Sequence, residues 1–391
     1  MSEQRQYLRE LHAELAEGYW ENQPIEQLMG QFSAGYDKVI RELFEQHLGG
    51  AQKVTLFAVG GYGRQELHPG SDIDLLVVAA KAKKHQREIE LFVQSVFDLN
   101  VEVGHAVRDI KACREEAKND ITVATALFER RFLAGDESQV APLAEALGTR
   151  KVWPPDKFFR AKYDEQLQRH KQYHNVEYNL EPNIKTSPGG LRDIHTALWI
   201  CQRKFDTTRP QQLVDLGVLS PTEANWLVEG KRFICWIRFG LHIIAGRKED
   251  RLQFTYQREL AQRLGFVDTD AQSGVERFMH HYYRHVLALM EVNDILIQYF
   301  TEVVTGPRRA KLEPINERFQ ITNSYIEACH ENVFTETPSA LLEMFVIMMA
   351  KHSLPTDRNV RDLLACSEFN HGPFQGVIQR LVYPSPPTPT F

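Results

Sequence analysis

Residues 59–74 read VGGYGRQELHPGSDID, from Val59 to Asp74. Apolar runs flank this stretch on both sides. Before it, Lys53–Val59 (KVTLFAV) is short, β-branched and apolar, which predicts a buried strand. After the turn-rich His68–Ser71, Ile73–Val78 (IDLLVV) predicts a second strand. The order is strand, Gly60-Gly61, nine intervening residues, then Ser71-Asp72-Ile73-Asp74 leading directly into the next strand. A lone GGYG is an ordinary turn, and a lone Asp-x-Asp is usually a solvated turn or helix cap. Their combination is what carries information, because acidic residues at the mouth of a buried strand have no packing use.

The chemistry follows from spacing. Residues i and i+2 of a strand share a face about 6.5–7 Å apart, so Asp72 and Asp74 repel each other unless a cation stands between them. Oxygen ligands of this kind suit Mg²⁺, which takes one or two carboxylates and completes its shell with phosphate oxygens and water. Two such ions about 3.5–4 Å apart hold the attacking and leaving oxygens of a phosphoryl or nucleotidyl transfer. Gly60 and Gly61 let the backbone approach a phosphate and aim N–H groups at it. Ser71 offers a hydroxyl, and Arg64 a planar fork for triphosphate charge. A third carboxylate is needed as a metal ligand and beside the attacking hydroxyl. Glu102, between Val101 and Val103, is the first candidate, with Asp98 and Asp109 behind it.

Working outward, residues 86–98 predict a helix and Val101–Val107 (VEVGHAV) a third strand. Residues 3–48 show helical spacing, broken into two helices near Asn22–Pro24. Beyond about residue 135 the periodicity is helical, with core stripes such as Phe233, Trp236, Ile237, Leu241 and Ile244, then Phe278, Tyr282, Val286 and Leu289. Ser187-Pro188-Gly189-Gly190 turns into a helix starting near Leu191. Helix N-termini attract anions, and Lys185 and Arg192 flank this one, so both are candidates for nucleotide or target binding; the alternative is a plain capped helix start. His170 and His174 lie at i, i+4 spacing without a third ligand and read as surface residues.

Over 391 residues, 43% are hydrophobic and 25% charged, with a net charge of −6. These values fit a globular chain with sizeable cores and no bulk affinity for nucleic acid or an anionic membrane. No run approaches the roughly 18 apolar residues of a membrane span. The polar N-terminus lacks a signal-peptide core, so a cytoplasmic location is expected. Five scattered cysteines without a CxxC pair argue against disulfides or a thiolate zinc site; reduced, mostly buried thiols are expected. The last ten residues hold four prolines and read as a disordered tail.

The string GGYGRQELHPGSDID resembles the nucleotidyltransferase domain of the protein-PII uridylyltransferases, the bifunctional uridylyltransferase/uridylyl-removing enzymes of nitrogen signalling. VEVGHAVRD, WPPDKFFRAK, YNLEPNIKTSPGGLRDIHTALWI and IRFGLHIIAGRKEDRLQFTYQRELAQRLGF extend the resemblance over roughly residues 35–380. It implies an α+β fold: a DNA-polymerase-β-like nucleotidyltransferase core, with a small mixed sheet and helices, followed by a helical domain. It further implies UTP as donor, Mg²⁺ or Mn²⁺ as cofactor, and a tyrosine of the PII signal protein as acceptor. Gly60, Gly61, Asp72 and Asp74 fall on the family's active-site motif, and Glu102 on its third strand. The expected organisation is a helical lead over 1–50, the nucleotidyltransferase core over 51–135, a helical domain over 136–305, a helical linker over 306–380 and a Pro-rich tail over 381–391. The full enzymes continue into an HD-type hydrolase domain and two ACT domains. None of the 15 histidines here precedes Asp, so uridylyl removal and glutamine sensing are not expected of this polypeptide. The alternatives are transfer of another base or to another target, or a PII-binding fragment without turnover.

Overall fold

The computed structural model describes residues 2–173, 179–305, 312–322, 325–330 and 332–350. The Pro-rich tail and His174 lie outside them. The chain divides into two units, Met1–Leu296 and Ile297–Phe391.

The first unit opens with α1 (Ser2–Trp20) and α2 (Ile25–Leu48). The break between them falls at Asn22, in the left-handed region at φ 61°, and at Pro24, which caps α2 and has no N–H to continue a helix. A four-stranded sheet follows, made of β1 (Val54–Ala58), β2 (Ile73–Ala79), β3 (Val103–Arg108) and β4 (Arg131–Gly135), in the order β3-β2-β1-β4. β1 runs antiparallel to β2 and β4, whereas β2 and β3 are parallel. Parallel pairing demands a crossover, which here contains α4 (Gln86–Phe97). A one-turn helix α3 (Gly60–Gly63) follows β1, and α5 (Ile110–Asn119) and α6 (Ile121–Phe128) link β3 to β4.

Phe57, Val59, Leu76 and Val78 of the sheet region pack with Cys113, Ala117, Ala124, Leu127 and Leu143. Burial of this kind makes β1 and β2 read as near-continuous apolar runs rather than alternating ones. β4 was not foreseen. Its sequence RFLAG is five residues long and follows Arg130, so neither length nor alternation announces a strand. What holds it is tertiary: Arg131 donates to the Asp37 carboxylate on α2 at 2.6 and 2.9 Å.

Helices complete the unit: α7 (Val140–Ala146), α8 (Pro155–Gln172), α9 (Leu191–Phe205), α10 (Pro210–Asp215), α11 (Pro221–Ala245), α12 (Phe254–Arg263) and α13 (Gly274–Thr305) as far as Leu296, its last turns being counted in the second unit. α11 starts on a Ser220–Glu223 capping box and ends at Gly246, φ 63°. Cys113, Cys201 and Cys235 are free and buried, while Cys329 is free and exposed.

In the second unit the expected helical linker is corrected. Among the described residues it begins with a three-stranded antiparallel sheet, β5 (Leu312–Pro314), β6 (Phe319–Thr322) and β7 (Tyr325–Ala328). β6 alternates buried and half-buried side chains, a period of two, over only four residues, too short a signal to outweigh the helical periodicity around it. Phe319, Ile326, Val333, Phe334, Leu341 and Met344 form its core, with α14 (Val333–Glu336) and α15 (Ala340–Ala350).

Candidate active site

The glycine turn and the two acids meet at the N-terminal end of β2. Gly60 sits at φ 58°, a conformation that L side chains rarely adopt, and this directs the chain from β1 into α3. Asp74 is the second residue of β2 and pairs in register with Gly104 of β3. A Cβ at Gly104 would stand 2.3 Å from Asp74 Oδ1, and one at Gly60 would stand 3.2 Å from Oδ2. Two glycines therefore flank the Asp74 carboxylate. Burial and the neighbouring Asp72 charge hold the Asp74 carboxyl above its usual range, against Lys248, Lys185 and Arg64.

Asp72 precedes the strand. Lys248, two residues beyond Gly246, donates to both its oxygens at 2.9 and 2.6 Å and lies 4.0 Å from Glu102. Glu102 stands just before β3, not within it, and its backbone carbonyl accepts the Ile73 N–H at 2.8 Å. Its carboxyl hydrogen-bonds Asp72, and this contact and the Asp72 charge raise its pKa. Burial opposes ionisation of Asp72, but Glu102 and Lys248 outweigh it and hold the carboxyl below its usual range. The three acids expected at a metal thus stand close together but unequally placed. Glu102 is 74% exposed, and among the described residues no three His, Cys, Asp or Glu side chains form a ready cluster. The donor chemistry nonetheless suits a hard divalent cation. Asp72 and Asp74 are oxygen ligands, an ammonium already stands on Asp72, and Mg²⁺ needs only one or two carboxylates when phosphate and water supply the rest. Lys248 would compete with such a cation. The pair is about a third exposed on each side, so it is worth at most about 1 kcal/mol. Lys248→Met is expected to tighten nucleotide-free Mn²⁺ binding up to about fivefold, read by the EPR signal of free Mn²⁺; weaker binding would give Lys248 a supporting role.

Ser71 Oγ accepts the His68 N–H at 2.9 Å, which fixes the loop and leaves the hydroxyl proton free to donate. Lys185 lies close enough to oppose protonation of both acids. Burial, the Arg238 charge and other cations push its own pKa down to about 8. Arg64 departs from expectation. Its guanidinium pairs with Glu66 at 2.7 Å and Glu129 at 2.6 Å, two carboxylates that the sequence reading did not give it. His170 is likewise no free surface residue, because it bonds the buried Asp193 carboxylate at 2.9 Å.

A polar network behind the loop went unforeseen. Glu66 accepts from Lys231 at 2.5 Å and His195 at 3.2 Å as well as from Arg64. Despite burial, the Arg64 and Lys231 charges and the His195 hydrogen bond hold its pKa well below the ordinary value. Arg238 pairs with Asp250 at 2.6 Å, and the Gly70 N–H donates to His242 Nδ1 at 3.0 Å. The available signal was Lys231, Arg238 and His242 breaking the apolar face of α11 at helical spacing.

A small mixed sheet, a glycine turn after its first strand and paired acids opening the next define the class: a nucleotidyltransferase fold, and residues 37–133 match the nucleotidyltransferase domain family. Residues 157–297 match the family described as GlnD PII-uridylyltransferase, and residues 319–365 match the uridylyltransferase GlnD third domain. Among curated relatives, the bifunctional uridylyltransferase/uridylyl-removing enzyme of Azotobacter vinelandii is 47% identical over 311 residues, 79% of this chain and 34% of the relative. That of Pseudomonas aeruginosa is 44% identical over 329 residues, 83% of this chain and 36% of the relative. The chain belongs to the GlnD uridylyltransferase family. It spans about a third of the length of these relatives. No helix among the described residues is long and apolar enough to cross a membrane.

Proposed function

We propose that the chain transfers UMP from UTP to a tyrosine hydroxyl of the PII nitrogen-signalling protein, releasing diphosphate, in the cytoplasm. The observation that carries this reading is the Asp72–Asp74 pair at the mouth of β2, set against the Gly60 turn. Asp72 and Asp74 would hold Mg²⁺ or Mn²⁺. The bound ion would neutralise phosphate charge and align the attacking and leaving oxygens.

The chain's own groups do the rest. The backbone at Gly60 and Gly61, together with the Ser71 hydroxyl, faces the phosphates. Lys185 adds positive charge beside the acids. Glu102, solvent-facing and with a raised pKa, would accept the proton of an incoming hydroxyl. Free buried thiols at Cys113, Cys201 and Cys235 suit a reducing compartment. The test is incubation with PII, Mg²⁺ and radiolabelled UTP, beside ATP, CTP and GTP. Label from UTP alone in PII supports the reading. Transfer from another nucleotide, or none with a folded chain, overturns it.

A further inference from the structure

A second concave site lies between α6, α8 and α9. Thr122, Thr125, Lys162, Glu165, Arg169 and Arg192 line a cavity of about 290 Å³, close to the lower end of the ~300–1,000 Å³ of small-molecule sites. Its charge is unbalanced. Lys162, only 2% exposed, has Glu165 at 2.8 Å. Arg169 shares that carboxylate at 4.0 Å and pairs with Asp193, which also holds His170 and the Gly189 N–H. Both carboxylates are thus taken. Among the described residues no acid is paired with Arg192, whose guanidinium lies 5.5 Å from the Trp199 ring centre. Burial and the Arg169 and Arg64 charges disfavour its charged form, Glu165 and Glu129 opposing them only in part. A buried guanidinium among cations gains most from a further anion, and its planar fork suits phosphate oxygens. The Thr122 hydroxyl supplies a neutral donor at the same wall, whereas the Thr125 hydroxyl already donates to the Thr122 carbonyl at 2.8 Å.

We infer that this cavity binds a phosphate group, with Arg192 as its principal contact. Two sources share that chemistry: the phosphate tail of the nucleotide substrate, or a separate phosphate-bearing ligand. The inference does not rest on the transfer reading, since phosphate binding here needs neither metal nor base.

The test is calorimetric titration of inorganic tripolyphosphate into the whole chain without divalent metal, beside Arg192→Gln and Thr122→Val, with melting curves as a fold control. Saturable binding to the wild type, weakened at least tenfold in Arg192→Gln and less in Thr122→Val, is expected. Asp72→Asn should bind tripolyphosphate as the wild type does, because the acid pair lies outside the cavity. Titration in the presence of saturating UTP separates the sources: competition identifies the substrate's own phosphates, and persistent binding a separate ligand. No saturable binding, or unchanged affinity in a folded Arg192→Gln, overturns the inference. Should Arg192→Gln fail to fold, Thr122→Val decides, since Thr122 is exposed on its helix and unchanged affinity there overturns it equally. Failure would leave the Asp72–Asp74 proposal untouched.

Discussion

Asp72→Asn is expected to lower uridylyl transfer by about 10³-fold or more while the protein stays folded. Loss of a metal carboxylate removes several kcal/mol of transition-state stabilisation, and at about 1.4 kcal/mol per factor of ten some 4 kcal/mol is about three such factors. The two acids should part company in stability. Asp72 has a depressed pKa, so its carboxylate contributes stability above the unfolded-state value, lost as pH falls through the folded one. Removing it should cost at most about 1 kcal/mol, because the Lys248 pair is partly exposed. Asp74 has a raised pKa. Its favourable contribution is present below the unfolded-state value and is lost as pH rises through the folded one, so at pH 7 Asp74→Asn should melt no lower than wild type. Single-turnover transfer assays and thermal melts at pH 7 read both effects. Near-normal transfer by Asp72→Asn would remove it from the metal site.

Gly104→Ala is expected to lower transfer by about 10²-fold, although Gly104 touches no substrate in this reading. Its Cβ would fall 2.3 Å from Asp74 Oδ1, closer than any real contact, so the carboxylate must turn or the strand must move. A misplacement of about 1 Å in a reacting constellation costs on the order of 10²-fold. β3 is an edge strand and can shift, which limits the stability cost to the ~1–3 kcal/mol typical of overpacking. Displacement of Asp74, unlike general destabilisation, should also weaken nucleotide-free Mn²⁺ binding in protein that melts cooperatively. Unchanged transfer and Mn²⁺ affinity would show that Asp74 does not depend on this close approach.

The glycine turn, the acids and the first three strands were legible because each obeys a local rule. β1 and β2 are apolar runs bounded by turn residues, and Gly60 marks a positive φ. β3 begins at Val103, not Val101, because its first ladder partner is Ile73, a long-range fact that no local pattern reports. β4 depends on Asp37, 94 residues from Arg131, and is invisible for the same reason. The site divides likewise. Asp72 and Asp74 stand out by their position ahead of an apolar run, whereas Lys248 reaches Asp72 across 176 residues. Arg64 reads as a phosphate ligand from its place beside the glycine turn; only the fold brings Glu129 to it. Nothing in the spacing of Lys162, Arg169 and Arg192 shows that they line one cavity.

The Glu66 hub bears on how the loop opens. Its carboxylate takes Arg64 from its own loop, His195 from α9 and Lys231 from α11, so the segment after the glycine turn cannot lift away without stranding buried charge. Breaking such a pair from one side costs about 3–5 kcal/mol. Surface loops exchange their amide hydrogens through cheap local fluctuations; this one should exchange at the pace of the helices that grip it. The Gly70 amide, bonded to His242, would then report on the opening of α11, and the rigidity of the glycine turn would belong to the helical bundle behind it as much as to the sheet beneath.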